Sequence, residues 1–188
     1  YRYYLPLFPA AVSSLKPPPA DLLVSTSHCA AKGIRPAAGT RHLCYCFTPM
    51  RYAWMFHGEY FGRNPAKRLL LRPLLAFLRR WDRETAGRVD RFVGISRHVA
   101  ERIEHFYGRP AEIVYPPVDT EFFRPGAGGH EPFDLVVSAL VPYKRIDLAI
   151  GAYNRLGYPL KIVGIGTERE RLQAMAGPHV ELLGWQEN

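Results

Sequence analysis

The stretch of residues 134–163, DLVVSALVPYKRIDLAIGAYNRLGYPLKIV, places two short apolar runs on either side of one amphipathic segment. The runs at 134–138 and 160–163 have the length and composition of buried parallel strands. Between them, residues 143–156 carry apolar side chains at helical spacing. The stretch therefore predicts a strand, a crossover helix and a second strand, and the crossover should be right-handed.

The same alternation continues upstream of this unit. Apolar runs predict strands at 21–25, 41–47, 90–95 and 112–115. An amphipathic pattern predicts a long helix within 65–84, and Ser96 is suited to cap a second helix that ends at Gly108. Strands that alternate with helices in this way are typical of doubly wound α/β sheets.

Downstream, Thr167 and Glu170 have the spacing of a capping box at the start of another helix, and a last strand is predicted at 180–183. The sequence thus predicts an α/β fold with two doubly wound, Rossmann-like domains.

The stretch PGAGGH, at 125–130, contains almost no side chain that could pack, which is typical of a linker. We therefore expect a partial N-terminal domain at 1–126, a linker at 127–132 and a partial C-terminal domain at 133–188. The chain begins with tyrosine and stops soon after a strand-like stretch, so we expect both domains to be incomplete.

Composition limits the class of protein and of partner. A hydrophobic content of 47% with 22% charged residues is that of a folded protein. The formal net charge of +8 favours an anionic partner, which could be nucleotide phosphate, nucleic acid or an acidic membrane surface.

The three cysteines, Cys29, Cys44 and Cys46, form neither an even disulfide framework nor a spacing suited to structural zinc. The sequence also shows no long apolar run and no basic-then-apolar leader. A cytoplasmic location is therefore expected.

The loop after the strand at 134–138 is the first candidate for chemistry. In an open parallel sheet, ligands bind where strands end and helices begin, and a helix start attracts anions. Lys144 at that place could meet a diphosphate. The alternative is a solvated lysine with no ligand, although a cation in a first helical turn is locally unfavourable.

A glycine pair, Gly164 and Gly166, follows the strand at 160–163 and could let backbone approach a ligand. It could equally do no more than turn the chain. The dinucleotide fingerprint would need a third glycine where Arg169 stands, which disfavours a nicotinamide-dependent oxidoreductase.

Four ordered blocks carry a resemblance to a known family. The segment 137–147, VSALVPYKRID, resembles the glycine-arginine-leucine … lysine segment of family 4 glycosyltransferases. The segments DRFVGIS at 90–96, VYPPVD at 114–119 and IVGIG at 162–166 are similar to other segments of that family in the same order. The resemblance covers roughly residues 21 to 188.

This resemblance implies the GT-B architecture, in which the C-terminal domain binds a sugar nucleotide and the N-terminal domain binds the acceptor. Lys144 would then bind the donor diphosphate. Ala139 stands where the family usually has a diphosphate-binding arginine, and Arg145 could replace that arginine. Ser138, Gly164 and Gly166 would belong to the donor-binding loops.

On the acceptor side, the segment 44–52 is similar to a family segment in which a histidine often stands where Phe47 does. Phenylalanine cannot replace the hydrogen bond or the proton of that histidine. The resemblance makes Phe47, Thr48 and Arg51 candidates for the acceptor cleft. Because the histidine is missing, no catalytic residue is assigned. His28 is a further candidate, although a lone histidine is more often structural.

The resemblance implies a retaining glycosyltransferase that moves a hexose, with mannose as one candidate, from a nucleotide-diphosphate sugar to a saccharide or lipid-linked acceptor. Neither a metal nor another cofactor is expected, because fixed cations would counter the diphosphate charge. The family's paired glutamates lie downstream of the blocks present here, so the chain by itself is expected to be inactive.

A non-catalytic module that binds nucleic acid or a membrane surface remains an alternative, although nucleic acid is not the expected partner. The long helix carries basic residues that could rest on anionic lipid at the cytoplasmic face of a membrane. These residues are Lys67, Arg68, Arg72, Arg79, Arg80 and Arg83. An ordinary solvated basic face is the other interpretation of the same pattern.

Overall fold

The computed structural model describes residues 2–55, 65–126, 128–129 and 131–187. The chain divides into two compact units, Tyr1–Asp119 and Thr120–Asn188. The linker expected at 127–132 falls in the second of these ranges, and its residues Ala127 and His130 lie outside the described residues. The domain limits drawn from the sequence stay a prediction.

The first unit contains a parallel four-stranded sheet in the order β1-β2-β3-β4. Its strands are β1 Leu22–Ser27, β2 Arg41–Cys46, β3 Arg91–Gly94 and β4 Ala111–Ile113. Its helices are α1 Phe8–Ser14, α2 Arg51–Trp54, α3 Pro65–Ala86 and α4 Arg97–Tyr107. Strands and helices therefore alternate here, as the sequence predicts.

Helix α4 has the ends that its sequence indicates. The Ser96 Oγ accepts a hydrogen bond from the backbone N–H of Val99 at 3.3 Å, which satisfies a free donor of the first turn. Gly108 ends the helix with a φ of +66°, a conformation that glycine adopts without strain. Val99 and Ile103 on the inner side of α4 pack against Phe92 of β3, so the helix covers one face of the sheet.

A buried ion pair joins the turn after β1 to the long helix α3. The Lys32 Nζ lies 2.9 Å from the Asp82 Oδ1 and donates to the Thr85 Oγ1 at 3.0 Å. The other Asp82 oxygen accepts hydrogen bonds from the Trp54 Nε1 at 2.7 Å and from the Tyr107 hydroxyl at 2.8 Å. Burial and the adjacent carboxylate raise the pKa of Tyr107, which keeps it a donor. These bonds offset part of the cost of desolvating both charges.

The second unit contains a parallel three-stranded sheet in the order β5-β6-β7. Its strands are β5 Asp134–Val137, β6 Leu160–Val163 and β7 Val180–Gly184, and its helices are α5 Ile146–Leu156 and α6 Arg169–Met175. Ile150 of α5 and Leu172 of α6 pack with Leu160 and Ile162 in its core. The strand, helix and strand predicted from residues 134–163 are present.

The start of α6 differs from the predicted capping box. The helix begins at Arg169 after Glu168, and no side chain caps it. The backbone N–H of Glu168 instead donates to the Leu140 carbonyl at 3.0 Å. A contact between two loops therefore positions this helix, and such a contact cannot be recognised from local sequence.

Each sheet has one well-covered face and one partly open face. In β1, Ser25 and Ser27 are buried, whereas Leu22 and Val24 are 52% and 54% exposed. In β5, Val137 is 72% exposed. Alternate residues of a strand lie on opposite faces, so these exposed side chains belong to the face away from the packed helices.

Two glycines let the loops after β5 and β6 meet backbone to backbone. A Cβ atom on Gly164 would lie 1.8 Å from the Ser138 carbonyl oxygen, and one on Gly166 would lie 2.1 Å from that of Leu140. The Leu140 N–H donates to the Ile165 carbonyl at 2.9 Å. Only residues without a Cβ permit this approach.

We predict that Lys32→Met lowers the free energy of unfolding by about 3–5 kcal/mol, because the buried Asp82 carboxylate loses its counter-charge. Urea unfolding followed by circular dichroism measures this. Arg80→Met is the matched control, since the Arg80–Glu84 pair is solvent-exposed and should contribute little. Equal losses for the two variants would contradict the role given to the buried pair.

We predict that Gly166→Ala lowers stability by about 1–3 kcal/mol, because its methyl group would overlap the Leu140 backbone. Gly151→Ala in α5 is the control, since no atom of the described residues beyond the adjacent backbone of α5 lies within 4 Å of its Cβ position. The free energy of unfolding of that variant should rise by up to about 1 kcal/mol, because alanine has a higher helix propensity than glycine. Thermal unfolding distinguishes the two cases, and a neutral Gly166→Ala would show that the loops separate easily.

Candidate functional site

The candidate site of the second unit lies at the carboxyl ends of β5 and β6. The loop after β5 contains a 3₁₀ turn, Pro142–Lys144, and leads into α5. The loop after β6 contains Gly164 and Gly166 and leads into α6. Ligands of open parallel sheets bind at this edge, and a donor site here stays a prediction.

The sequence suggests that Lys144 lies in the first turn of a helix. In the structure it instead ends the 3₁₀ turn that precedes α5. Its N–H donates to the Val141 carbonyl at 3.0 Å, which holds the tighter turn. The side chain is exposed, with Nζ 5.7 Å from the centroid of the Tyr143 ring. The structure shows no salt bridge from Lys144 to a carboxylate of the described residues. Its charge is therefore available to an anion.

Arg145 separates the turn from α5 in a left-handed conformation, with a φ of 51°. This conformation is uncommon for a residue with a Cβ. Its guanidinium donates to the Asp147 carboxylate, from Nε to Oδ1 at 3.0 Å and to Oδ2 at 3.3 Å, and from Nη2 to Oδ2 at 3.0 Å. These bonds lower the pKa of the Asp147 carboxyl, so the pair is charged at neutral pH. Arg145 thus offers an anion less free charge than Lys144 does.

The proposed donor loops are held by their own backbone. The Ser138 N–H donates to the Val163 carbonyl at 3.0 Å, and the Ser138 hydroxyl donates to the Ala139 carbonyl at 3.3 Å. The open sides of Gly164 and Gly166 face the backbone of the loop after β5. The structure therefore gives both glycines a packing role, and their contact with a donor stays a prediction.

The acceptor-side candidates lie at the carboxyl ends of β1 and β2. His28 is exposed directly after β1, and Phe47 is 39% exposed directly after β2, where its N–H donates to Ser27 at 2.8 Å. The Thr48 Oγ1 is buried and finds no hydrogen-bond partner within the described ranges. Arg51 begins α2 and is half-buried. The structure brings His28 and Phe47 to neighbouring strand ends, whereas their contact with an acceptor stays a prediction.

An open cavity of about 590 Å³ lies at the opposite edge of the first sheet, where β1 to β3 begin. It is lined by Leu22, Arg41, His42, Leu43, Asp90 and Arg91. Burial lowers the pKa of His42, whose ring contacts the Ser25 hydroxyl at 2.8 Å. Strand beginnings are not where parallel sheets bind ligands, so we assign this cavity no role in the proposed chemistry.

The structure places Arg169 at the candidate site, whereas the sequence indicates only that it stands where the dinucleotide fingerprint needs a third glycine. Its guanidinium lies against Gly184 at the end of β7, with Nη1 3.1 Å from the position of a Cβ on that residue. Gly184 has a φ of +74°. The sequence gives no signal for this contact, because fifteen positions and a helix separate the residues along the chain.

Neither a metal cluster nor a membrane-spanning helix occurs in the described part of the chain. It contains no group of three or more His, Cys, Asp or Glu side chains that could share a metal ion. Within the same ranges, no helix has both the length and the apolar character needed to cross a bilayer.

Comparisons with known proteins agree with the fold. Two crystal structures of TarM superpose on the chain, one with a TM-score of 0.60 over 98% of it and one with 0.56 over 97%, both at 14% identity. The second is a point mutant of S. aureus TarM in complex with fondaparinux, α-GlcNAc-glycerol and UDP. The chain spans 36% of the length of each TarM chain. These likenesses support the expected α/β fold class of the GT-B type, of which the chain covers only a part.

No curated protein sequence matches the chain significantly. The family profile named Glycosyltransferase Family 4 matches residues 1–122, which confirms the resemblance found in the sequence. Since this match covers more than half of the 188 residues, the chain belongs to glycosyltransferase family 4.

Proposed function

We propose that the second unit binds the diphosphate of a nucleotide-diphosphate sugar and that the complete protein transfers its hexose, with mannose as one candidate, to a saccharide or lipid-linked acceptor. Retention of the anomeric configuration and a place in polysaccharide biosynthesis belong to the same proposal. The observation that carries it is Lys144, an exposed cation at the carboxyl edge of the second sheet that no described carboxylate neutralises.

The chemistry of the reaction explains the need for a cation at this edge. Breaking the bond between sugar and diphosphate leaves negative charge on the diphosphate, and fixed positive charges that meet it stabilise the transition state. Lys144 supplies one such charge. Arg145 supplies a second if its guanidinium bonds to the ligand as well as to Asp147. The proposal therefore requires no resident cofactor or metal.

The ligands seen with TarM support the proposed partner classes. TarM has been crystallised with UDP and with α-GlcNAc-glycerol, which are a nucleoside diphosphate and a glycosylated glycerol. For this chain we propose a nucleotide-diphosphate sugar and a saccharide or lipid-linked acceptor. We further propose that the acceptor contacts His28, Phe47, Thr48 and Arg51 at the edge of the first sheet.

In the complete protein, we expect Lys144→Ala to raise the Kd for UDP or GDP about tenfold or more, because one charge-assisted hydrogen bond is lost. Titration calorimetry and the kcat/KM of hexose transfer measure the effect. Arg155→Ala is the matched control, since Arg155 is an exposed cation at the other end of α5. Unchanged binding and turnover in Lys144→Ala would remove Lys144 from the site.

Attachment to a membrane surface is a second candidate function, favoured by the outer side of α3. Leu69, Leu70 and Phe77 are 64%, 80% and 50% exposed, and helical spacing places them on one side with Arg80. Exposed leucines beside arginines suit the interface of an anionic bilayer. A cytoplasmic enzyme could thereby reach a lipid-linked acceptor at the cytoplasmic face. The side chains of Lys67 and Arg68 lie outside the described residues.

We expect Leu70→Glu to lower the bound fraction on phosphatidylglycerol vesicles about fivefold or more, because it places a charge in the apolar contact. Co-sedimentation measures binding. Leu156→Glu is the control, since Leu156 is 70% exposed at the end of α5 in the second unit. Equal binding of both variants, or no binding by the unmodified chain, would contradict a membrane role for α3.

A further inference from the structure

The cations near the carboxyl edge of the second sheet differ in whether a carboxylate neutralises them. Arg145 is paired with Asp147, and the Arg171 Nε donates to the Glu168 Oε2 at 2.7 Å. Arg169 is exposed, and the structure shows no carboxylate within bonding distance of its guanidinium in the described part of the chain. Arg169 therefore resembles Lys144 in carrying a charge that an anion could use.

The contacts of Arg169 place this charge at the strand ends. Its N–H donates to the Gly166 carbonyl at 3.2 Å, which fixes its backbone beside the loop after β6. Its guanidinium lies over Gly184, with Nη1 and Nη2 3.1 and 3.4 Å from the position of a Cβ there. The Gly184 carbonyl accepts from the Gly164 N–H at 2.8 Å, so the guanidinium borders the ends of both β6 and β7.

We propose that Arg169 is a further binding residue for the donor diphosphate, an inference that rests on the function proposed above. A nucleoside diphosphate carries more than one negative charge, which Lys144 alone does not balance. The planar fork of arginine can bond two phosphate oxygens at once, which a lysine cannot do. Ala139 carries no charge, and the charge of Arg145 is partly neutralised by Asp147. Arg169 thereby supplies positive charge that these two positions do not.

The absence of a side chain at Gly184 supports this role. A Cβ at this position would approach both terminal nitrogens of Arg169, so a larger residue would displace the guanidinium. The φ of +74° also favours glycine. Gly184 thus leaves room for the arginine at the strand end.

The inference is tested by titrating UDP and GDP, each as a probe, into the complete protein and its Arg169→Gln variant. We expect the Kd of the bound nucleotide to rise about tenfold or more, because a charge-assisted bidentate contact is lost. The dependence of Kd on salt concentration should become weaker as well. Arg171→Gln is the matched control, since Arg171 is already paired with Glu168, and its Kd should stay within about twofold.

The corresponding monophosphate separates a binding role from a packing role. If Arg169 binds the diphosphate, Arg169→Gln should weaken the binding of UDP or GDP more than the binding of UMP or GMP. A general distortion of the site would weaken the binding of both classes equally. If Arg169→Gln fails to fold, Arg169→Lys replaces it, with an expected rise in Kd of about threefold or more because the fork is lost.

The possible failures are distinguishable. Unchanged diphosphate affinity in the Arg169 variant, with Lys144→Ala still impaired, would overturn this inference and leave the proposed function intact. Equal losses for the diphosphate and the monophosphate would also overturn it. No binding of UDP, GDP or their hexose conjugates by the unmodified protein would overturn the proposed function and this inference together.

Discussion

Backbone contact between the loops that follow β5 and β6 determines where every candidate donor residue stands. Gly164 and Gly166 permit it, since any Cβ at either position would overlap a carbonyl oxygen of the other loop. The loop after β5 leads to Lys144, and the loop after β6 leads to Arg169. The two cations therefore depend on the same contact, although they lie in different parts of the sequence. The contact fixes the backbone positions from which both side chains extend.

The first unit uses a different kind of constraint. The Lys32 ammonium and the Asp82 carboxylate are buried together, and Asp82 also accepts bonds from Trp54 and Tyr107. One carboxylate thereby joins the turn after β1 to helices α2, α3 and α4. Because a buried charge tolerates few arrangements of its partners, this cluster favours a single packing of the helices. The strand ends that carry His28 and Phe47 belong to the same unit.

Local signals in the sequence were sufficient for the alternation of strands and helices and for both ends of α4. Ser96 and Gly108 act through bonds to near neighbours, so a short window contains the information. The uncapped start of α6 and the position of Arg169 over Gly184 depend on contacts between parts of the chain that lie apart in sequence. The Lys32–Asp82 pair joins positions 50 residues apart. A single sequence read by itself carries no signal for such pairs. The place of Lys144 after a strand of an open parallel sheet already suggested a diphosphate, and the family resemblance supported that interpretation.

The partly open sheet faces have a consequence for the behaviour of the chain in solution. Val24 and Val137 are exposed on the open faces of their sheets. Parallel sheets normally bury such apolar faces. Two molecules that bring such surfaces together would remove them from water, so concentrated samples of this chain should self-associate.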